Sequence, residues 1–214
     1  MNKKQWKKIL EAAPHAQLLI KDNILYDTKE RQLKAVKRDW TKIRFIIDPD
    51  KDVQLEAVRQ NADAVKYIRN PDKDVQMEAV KQDGYAIQFI HNPDKDVQLE
   101  AVKQDGDAIR LIPNPDEDAQ MEAVKQDPWT IQHISNPNKE VQLEAVKRNG
   151  LVVQFIRNPD KDVQLEAMKQ NREAIWHIPN PSKEVVMYHL LSSPKIAHLL
   201  QDPSYDLKWE EENE

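Results

Sequence analysis

The chain has 214 residues, of which 32% are charged and 39% hydrophobic, and its formal net charge is −5. Because apolar side chains are limited, they must lie on a narrow, patterned seam rather than in a thick globular core. The absence of cysteine excludes disulfides and thiolate metal sites and favours a cytoplasmic protein. The net negative charge argues against a protein that binds nucleic acid through its phosphates. No segment approaches the roughly 20 apolar residues of a membrane span.

In chain order, the first segment is basic (MNKKQWKK) and lacks the apolar core of a signal peptide, so we interpret residues 1–25 as an N-terminal helical cap. Prolines then recur every 22 residues, at positions 49, 71, 93, 115, 137, 159, 181 and 203, and Asn or Asp precedes each one. With that Asn or Asp as repeat position 1, eight repeats cover residues 26–201, and Asp27 replaces the proline of the first. Residues 202–214 are interpreted as an acidic C-terminal cap or tail.

Each repeat reads as two helices. The Asn or Asp at position 1 is predicted to cap helix A, with the proline as its first residue, and helix A to end near position 14. Position 15 holds Gly84, Gly106 and Gly150 but also Pro128, which cannot adopt positive φ, so we predict a second N-cap at position 14 instead of a left-handed helix end. Helix B then has about six residues, such as YAIQFI, and is either α or 3-10.

The apolar positions predict how the repeats associate. Positions 6, 8, 10 and 11 of helix A span a wide arc, and positions 18 and 21 give helix B an apolar edge, so each repeat can contact a neighbour on two sides. The sequence therefore predicts an all-α solenoid of about eight helix-pair repeats. Glutamine occupies position 7 in seven successive repeats, from Gln32 to Gln164, inside this arc. We interpret these side chains as a structural ladder bonding between repeats or to loop backbone, with a row that reads a ligand as the alternative.

Residues 78–90, EAVKQDGYAIQFI, resemble a short tandem helical repeat family of unknown function whose typical run reads AVKQNGYALQY. The run NPDKDVQLEAV is also similar to HEAT-like repeats and to the leucine-rich-repeat variant. The resemblance covers roughly residues 26–201 and implies a superhelical scaffold. It supplies no catalytic motif.

Residues with catalytic or metal-binding chemistry do not form a recognisable site. DPDKD, at residues 48–52, has the opening spacing of a calcium loop, but Val53 and Arg59 stand where that loop needs Gly and a bidentate Glu. The six histidines lack metal-ligand spacing, and the carboxylates repeat identically, which is typical of a solvated face. We therefore expect no catalytic residue, no metal, no cofactor and no enzymatic activity.

A contrast between the two helices points to binding. Positions 1 to 14 barely change along the chain, whereas positions 16, 19, 20 and 22 change at nearly every repeat and carry large side chains. Such residues beside a uniform framework are typical of a recognition surface, although drift at exposed positions gives the same pattern. The predicted partner-binding residues are Tyr85, Phe89, Trp129, His133, Leu151, Phe155, Trp176 and His177.

The predicted function is a non-enzymatic scaffold that binds a protein partner along helix B. One alternative is an acidic inhibitor or decoy of a basic nucleic-acid-binding protein, acting through the carboxylate rows at positions 3, 5 and 9 of helix A. Another is a HEAT-like nucleic-acid enzyme such as a base-excision glycosylase, against which the lack of a basic face argues. The sequence does not indicate the oligomeric state.

Overall fold

A computed structural model of the chain describes residues 28–193, and every regular element in that range is helical. α-Helices of nine or ten residues alternate with six-residue 3-10 helices, labelled η. The elements are α1 Lys29–Arg38, η1 Trp40–Phe45, α2 Lys51–Gln60, η2 Ala62–Tyr67, α3 Lys73–Gln82, η3 Gly84–Phe89, α4 Lys95–Gln104, η4 Gly106–Leu111, α5 Glu117–Gln126, η5 Pro128–His133, α6 Lys139–Arg148, η6 Gly150–Phe155, α7 Lys161–Gln170, η7 Arg172–His177 and α8 Lys183–Leu191.

Two compact units make up the chain, residues 1–123 (the N-terminal unit) and 124–214 (the C-terminal unit), with the boundary inside α5. In the N-terminal unit, α1 to α4 pack side by side in chain order, and η1 to η4 form a second row. In the C-terminal unit, α6 to α8 and η5 to η7 repeat this arrangement. Each unit therefore has the packing of a helical repeat solenoid, which confirms the predicted fold class and makes helix B a 3-10 helix.

The predicted caps, residues 1–25 and 202–214, lie outside the described residues, as does helix B of the eighth repeat. Among residues 28–193, no helix is long and apolar enough to cross a membrane.

The prediction that position 1 caps helix A was wrong. The α-helices begin at position 4, and the cap is position 3: Asn138 Oδ1 accepts the Val141 N–H at 2.9 Å, and Asp160 Oδ1 accepts the Val163 N–H at 3.0 Å. Position 1 instead turns the chain, and its φ is +55° at Asp48 and +49° at Asn92. Asn and Asp tolerate this left-handed conformation better than other residues with a Cβ atom, so their preference here comes from the turn.

The second predicted cap, at position 14, is confirmed. Asp83 has an extended backbone, and its N–H closes α3 on the Ala79 carbonyl at 3.0 Å. Its carboxylate then accepts the Tyr85 N–H at 2.9 Å and opens η3. None of the glycines adopts positive φ. At Gly84 an added Cβ atom would lie 2.5 Å from the Ala101 carbonyl oxygen, so glycine there permits close approach of the next repeat.

The core follows the predicted seam. From the second to the seventh repeat, helix-A positions 6, 10 and 11 are buried, as at Val97, Ala101 and Val102, whereas position 8 is half-buried. Helix-B positions 18 and 21, such as Ile109 and Ile112, complete the core of each repeat. Because these side chains contact the neighbouring repeat as well as their own, no repeat can bury its apolar surface alone.

The position-7 glutamines form the structural ladder that the sequence predicts. Gln98 Nε2 donates to the Pro93 carbonyl of its own repeat at 2.9 Å, while its Oε1 accepts the Asp116 N–H of the next repeat at 2.8 Å. Gln164 makes the same two bonds, to the Pro159 carbonyl at 2.8 Å and from the Ser182 N–H at 3.0 Å. Gln54, Gln76, Gln120 and Gln142 make the bond to the proline carbonyl of their own repeat, and within residues 28–193 the buried Oε1 atoms of Gln54 and Gln120 have no hydrogen-bond partner. The bond to the next repeat is therefore seen at Gln98 and Gln164.

Candidate partner-binding surface

The 3-10 geometry divides each η helix into a buried and an exposed side. With three residues per turn, positions 15, 18 and 21 share one side. In η3 and the residue that follows it, these are Gly84, Ile87 and Ile90, and all three are buried. Positions 19, 20 and 22 are exposed or half-buried along the chain, and position 16 varies from half-buried to exposed. We call positions 16, 19, 20 and 22 the η face.

In the C-terminal unit, the η face carries a packed aromatic pair. The rings of Trp129 and Phe155 meet edge to face, with centroids 5.7 Å apart and planes at 68°. Trp129 is at position 16 of one repeat and Phe155 at position 20 of the next, and 37% and 38% of their surfaces remain exposed. The pair is therefore fixed by packing but still offers apolar surface to a partner.

Two glutamines beside this pair bond to the backbone of their own η helices. Gln132 Nε2 donates to the Trp129 carbonyl and Gln154 Nε2 to the Leu151 carbonyl, both at 3.1 Å. Because these bonds already restrict the glutamine side chains, ordering them on binding costs less conformational entropy.

Trp176 is the most exposed large apolar side chain among the described residues, at 78%. It occupies position 19 of η7, where the two preceding repeats have glutamine. Its ring contacts the His189 ring of α8 edge to face, with centroids 6.0 Å apart. An indole this exposed buries little apolar surface when the chain folds. It can bury most of that surface against a partner and so contribute to the free energy of binding.

The other predicted residues of the C-terminal unit lie on the same face. His133 and His177 are exposed at position 20, the position of Phe155. Leu151 is half-buried at position 16. The structure thus places all six predicted residues of this unit on one surface, with Trp129 and Phe155 in direct contact.

The η face of the N-terminal unit pairs aromatic rings with cations. Arg110 lies over the ring of Tyr85, with its Cζ 5.4 Å from the ring centroid. Lys66 lies between the rings of Tyr67 and Phe89, with Nζ at 5.3 and 5.6 Å from their centroids. Tyr85 is half-buried, and its desolvation, followed by the charge of Asp105, raises the pKa of its hydroxyl. Phe89 remains 39% exposed.

Sequence reasoning missed Tyr67 and Phe45, which occupy position 20 of the first two repeats. Arg44 and Lys42 lie over the Phe45 ring at 4.6 and 5.7 Å. The signal was available, because position 20 is aromatic, histidine or leucine in every repeat with a described helix B.

Several carboxylates at positions 3 and 5 pair with a lysine of the preceding repeat. Lys73 Nζ lies 2.5 Å from Asp96 of the next repeat and 3.6 Å from Asp94. Lys51 bonds to Asp74 in the same way, and Lys139 to Asp160 and Asp162. Hydrogen bonds from the lysines hold the pKa of Asp74 and of Asp96 below its ordinary value. The acidic rows at positions 3 and 5 therefore present alternating charge rather than a continuous negative surface.

A cleft of 450 Å³ opens between the ends of η3 and η4, lined in part by Ile90, Pro93, Leu111 and Pro113. Its wall also includes Gln98, whose amide bonds to backbone at both ends. The cleft thus follows from repeat stacking and the glutamine ladder.

Comparison with known families gives a match to one model. Residues 72–115 and 138–181 each match the family described as Domain of unknown function (DUF4116). Both segments begin at repeat position 3 and span two repeats, in register with the α-helix caps. The match supports a tandem repeat of unknown function and does not extend to HEAT-like or leucine-rich-repeat-variant proteins. The comparisons found no match to a curated protein or to a solved structure.

Proposed function

We propose that this protein is a non-enzymatic scaffold that binds a protein partner on the η face of its C-terminal unit. The observation that carries the proposal is the 78% exposure of Trp176 on the surface that also holds the Trp129–Phe155 pair. Large aromatic side chains on a rigid support are the commonest source of binding energy in protein interfaces. The α-helix layer is the framework, because the residues that recur in it from repeat to repeat form the caps, the core and the glutamine bonds.

The acidic-decoy alternative has less support. A mimic of nucleic acid needs a continuous negative surface to compete for a basic site. Here several position-3 and position-5 carboxylates bond to lysines of the preceding repeat, as Asp160 and Asp162 do to Lys139. At position 9, Glu144 pairs with Arg148 at 2.7 Å, whereas Glu100 accepts only the uncharged Gln104 amide at 3.0 Å and keeps its negative charge.

The test begins with capture of partners from the native cell, followed by mass spectrometry, recombinant production of the candidate and calorimetric titration. We expect Trp176→Ala to weaken binding about 30-fold, which corresponds to roughly 2 kcal/mol for an interface anchor. The matched control is Tyr188→Ala, which removes an exposed aromatic side chain from α8 rather than from an η helix. It should change affinity less than about threefold.

A second variant tests the acidic-decoy alternative. Asp118 and Glu140 are exposed position-5 carboxylates, and neither has a lysine or arginine partner within residues 28–193. Asp118→Lys with Glu140→Lys should leave affinity nearly unchanged if the η face binds. Loss of binding in this variant together with full binding by Trp176→Ala would replace the proposal with the acidic decoy.

A further inference from the structure

The η face of the N-terminal unit differs in charge from that of the C-terminal unit. Position 19 is Arg44, Lys66 and Arg110 in three of its four repeats, and position 22 adds Arg69. In the C-terminal unit, position 19 is Gln132, Gln154 and Trp176, all uncharged, and Arg157 is the arginine at position 22. Because η1 to η4 pack side by side in chain order, the position-19 cations of the N-terminal unit form one row.

Three of these cations are available to a partner. No carboxylate within residues 28–193 pairs with Arg44, Arg69 or Arg110, and all three are exposed. Lys66, in contrast, is held by Asp63 at 2.9 Å, which raises the pKa of its ammonium. Asp107 is the exposed carboxylate on this face, and it lies three residues before Arg110 and close enough to Tyr85 to help raise the pKa of its hydroxyl.

The cations already occupy aromatic surface. Arg44 lies 4.6 Å from the Phe45 centroid, and Arg110 lies 5.4 Å from that of Tyr85. Lys66 contacts the rings of Tyr67 and Phe89. A guanidinium over a ring still has its N–H donors at the edge of its plane, so it can bind a carboxylate while the ring supports it from below.

This geometry distinguishes two classes of polyanion. Proteins that bind single-stranded nucleic acid use open ring faces on which bases stack. Here cations lie over the rings, and the chain's net charge of −5 opposes a long polyanion. A short acidic peptide segment needs only carboxylates that reach the arginines and apolar side chains that contact the exposed part of Phe89.

We infer that the η face of the N-terminal unit, through Arg44, Arg69 and Arg110, binds an acidic segment of a protein partner. The inference rests on the proposed function, because it names the chemistry of a partner for the same scaffold. It uses a different unit from the Trp176 surface. An experiment can therefore contradict the acidic-segment inference without contradicting the proposed function, and the reverse.

Fluorescence anisotropy tests this with a labelled peptide of repeated Glu-Glu-Leu-Ser units, its Gln-Gln-Leu-Ser counterpart and an oligothymidine of similar length. The full chain should bind the glutamate peptide at low salt and bind the other two probes at least about tenfold more weakly. Arg44→Gln with Arg69→Gln and Arg110→Gln should weaken the glutamate complex about tenfold, from three exposed charge pairs. Circular dichroism checks that the variant keeps its helical content.

The matched control makes the same charge change on the α-helices. Lys37, Lys81 and Lys103 are exposed at position 12, and their replacement by Gln should change peptide affinity less than about twofold. Equal losses in both triple variants would overturn the inference, since they would show an unspecific charge effect. So would absence of glutamate-peptide binding, equal binding of the glutamine peptide, or tighter arginine-dependent binding of oligothymidine.

The outcomes also separate this inference from the proposed function. If Trp176→Ala abolishes binding of the identified partner while the glutamate peptide does not bind, the acidic-segment inference fails and the scaffold proposal stands. If the peptide binds through the arginines while Trp176→Ala keeps full partner affinity, the Trp176 surface is not the anchor.

Discussion

Gln98 Oε1 accepts the backbone N–H of Asp116 at 2.8 Å, so a side chain of one repeat satisfies the main chain of the next. Through its Nε2 the same amide also satisfies the carbonyl of Pro93, which lies in the loop before α4. Gln98 thereby links the loop before its own helix to the start of the following helix, and Gln164 makes the same link.

Replacing this amide should destabilise the fold. Gln98→Leu leaves a carbonyl and an N–H without partners, and we expect a loss of about 1 to 3 kcal/mol in the free energy of unfolding measured in urea. The control is Gln82→Leu, because Gln82 is exposed and bonds only weakly to Glu78 at 3.5 Å. Equal stability of the two variants would contradict the ladder.

The corrected cap position gives a second prediction. Asn138→Ala removes the acceptor of the Val141 N–H and should cost about 0.5 to 2 kcal/mol. Asn136, at position 1 of the same repeat, caps nothing, so Asn136→Ala should cost less than half as much. A larger effect at Asn136 would restore the cap that the sequence first suggested.

The N-cap of the α-helices could not be located from the sequence. The Asn-Pro pair is equally consistent with a helix cap and with a tight turn before a helix, and only the φ of residues such as Asn92 separates them. Position 14 was predictable because the same position precedes Gly84 and Pro128, and only one geometry suits both.

Contacts between repeats were harder to predict than the repeat itself. The period, the buried positions and the role of the glutamines follow from residue spacing alone. The Trp129–Phe155 pair joins position 16 of one repeat to position 20 of the next, and the Tyr85–Arg110 pair joins positions 16 and 19. Such pairs depend on the offset between stacked repeats, which the sequence does not state.

The two tryptophans should differ in their effect on stability. Trp129→Ala removes the contact with Phe155 from a side chain that is only 37% exposed and should cost about 1 kcal/mol or more. Trp176→Ala removes the contact with His189 from a side chain that is 78% exposed and should stay within about 0.5 kcal/mol of the native chain. Thermal unfolding followed by circular dichroism measures both. A larger loss from Trp176→Ala would show that its ring is part of the framework.

The lysine–aspartate bonds predict a dependence on pH. The folded-state pKa of Asp74 and Asp96 is lowered by Lys51 and Lys73, so these pairs stabilise the fold above the ordinary aspartate pKa. That stabilisation is lost as the pH falls through the lower, folded-state value. Urea unfolding from pH 6 to pH 2 should therefore show a smaller loss of stability for Lys51→Gln with Lys73→Gln than for the native chain. Identical pH profiles would mean that the pairs contribute nothing.

The most direct test of the central claim is hydrogen exchange of the C-terminal unit with and without the identified partner. If the η face binds, exchange should slow in Gly150–Phe155 and Arg172–His177 and stay unchanged in Lys139–Arg148 and Lys161–Gln170. Slower exchange confined to the two α-helices, with the η helices unchanged, would contradict the claim and place the partner on the acidic α-helix layer.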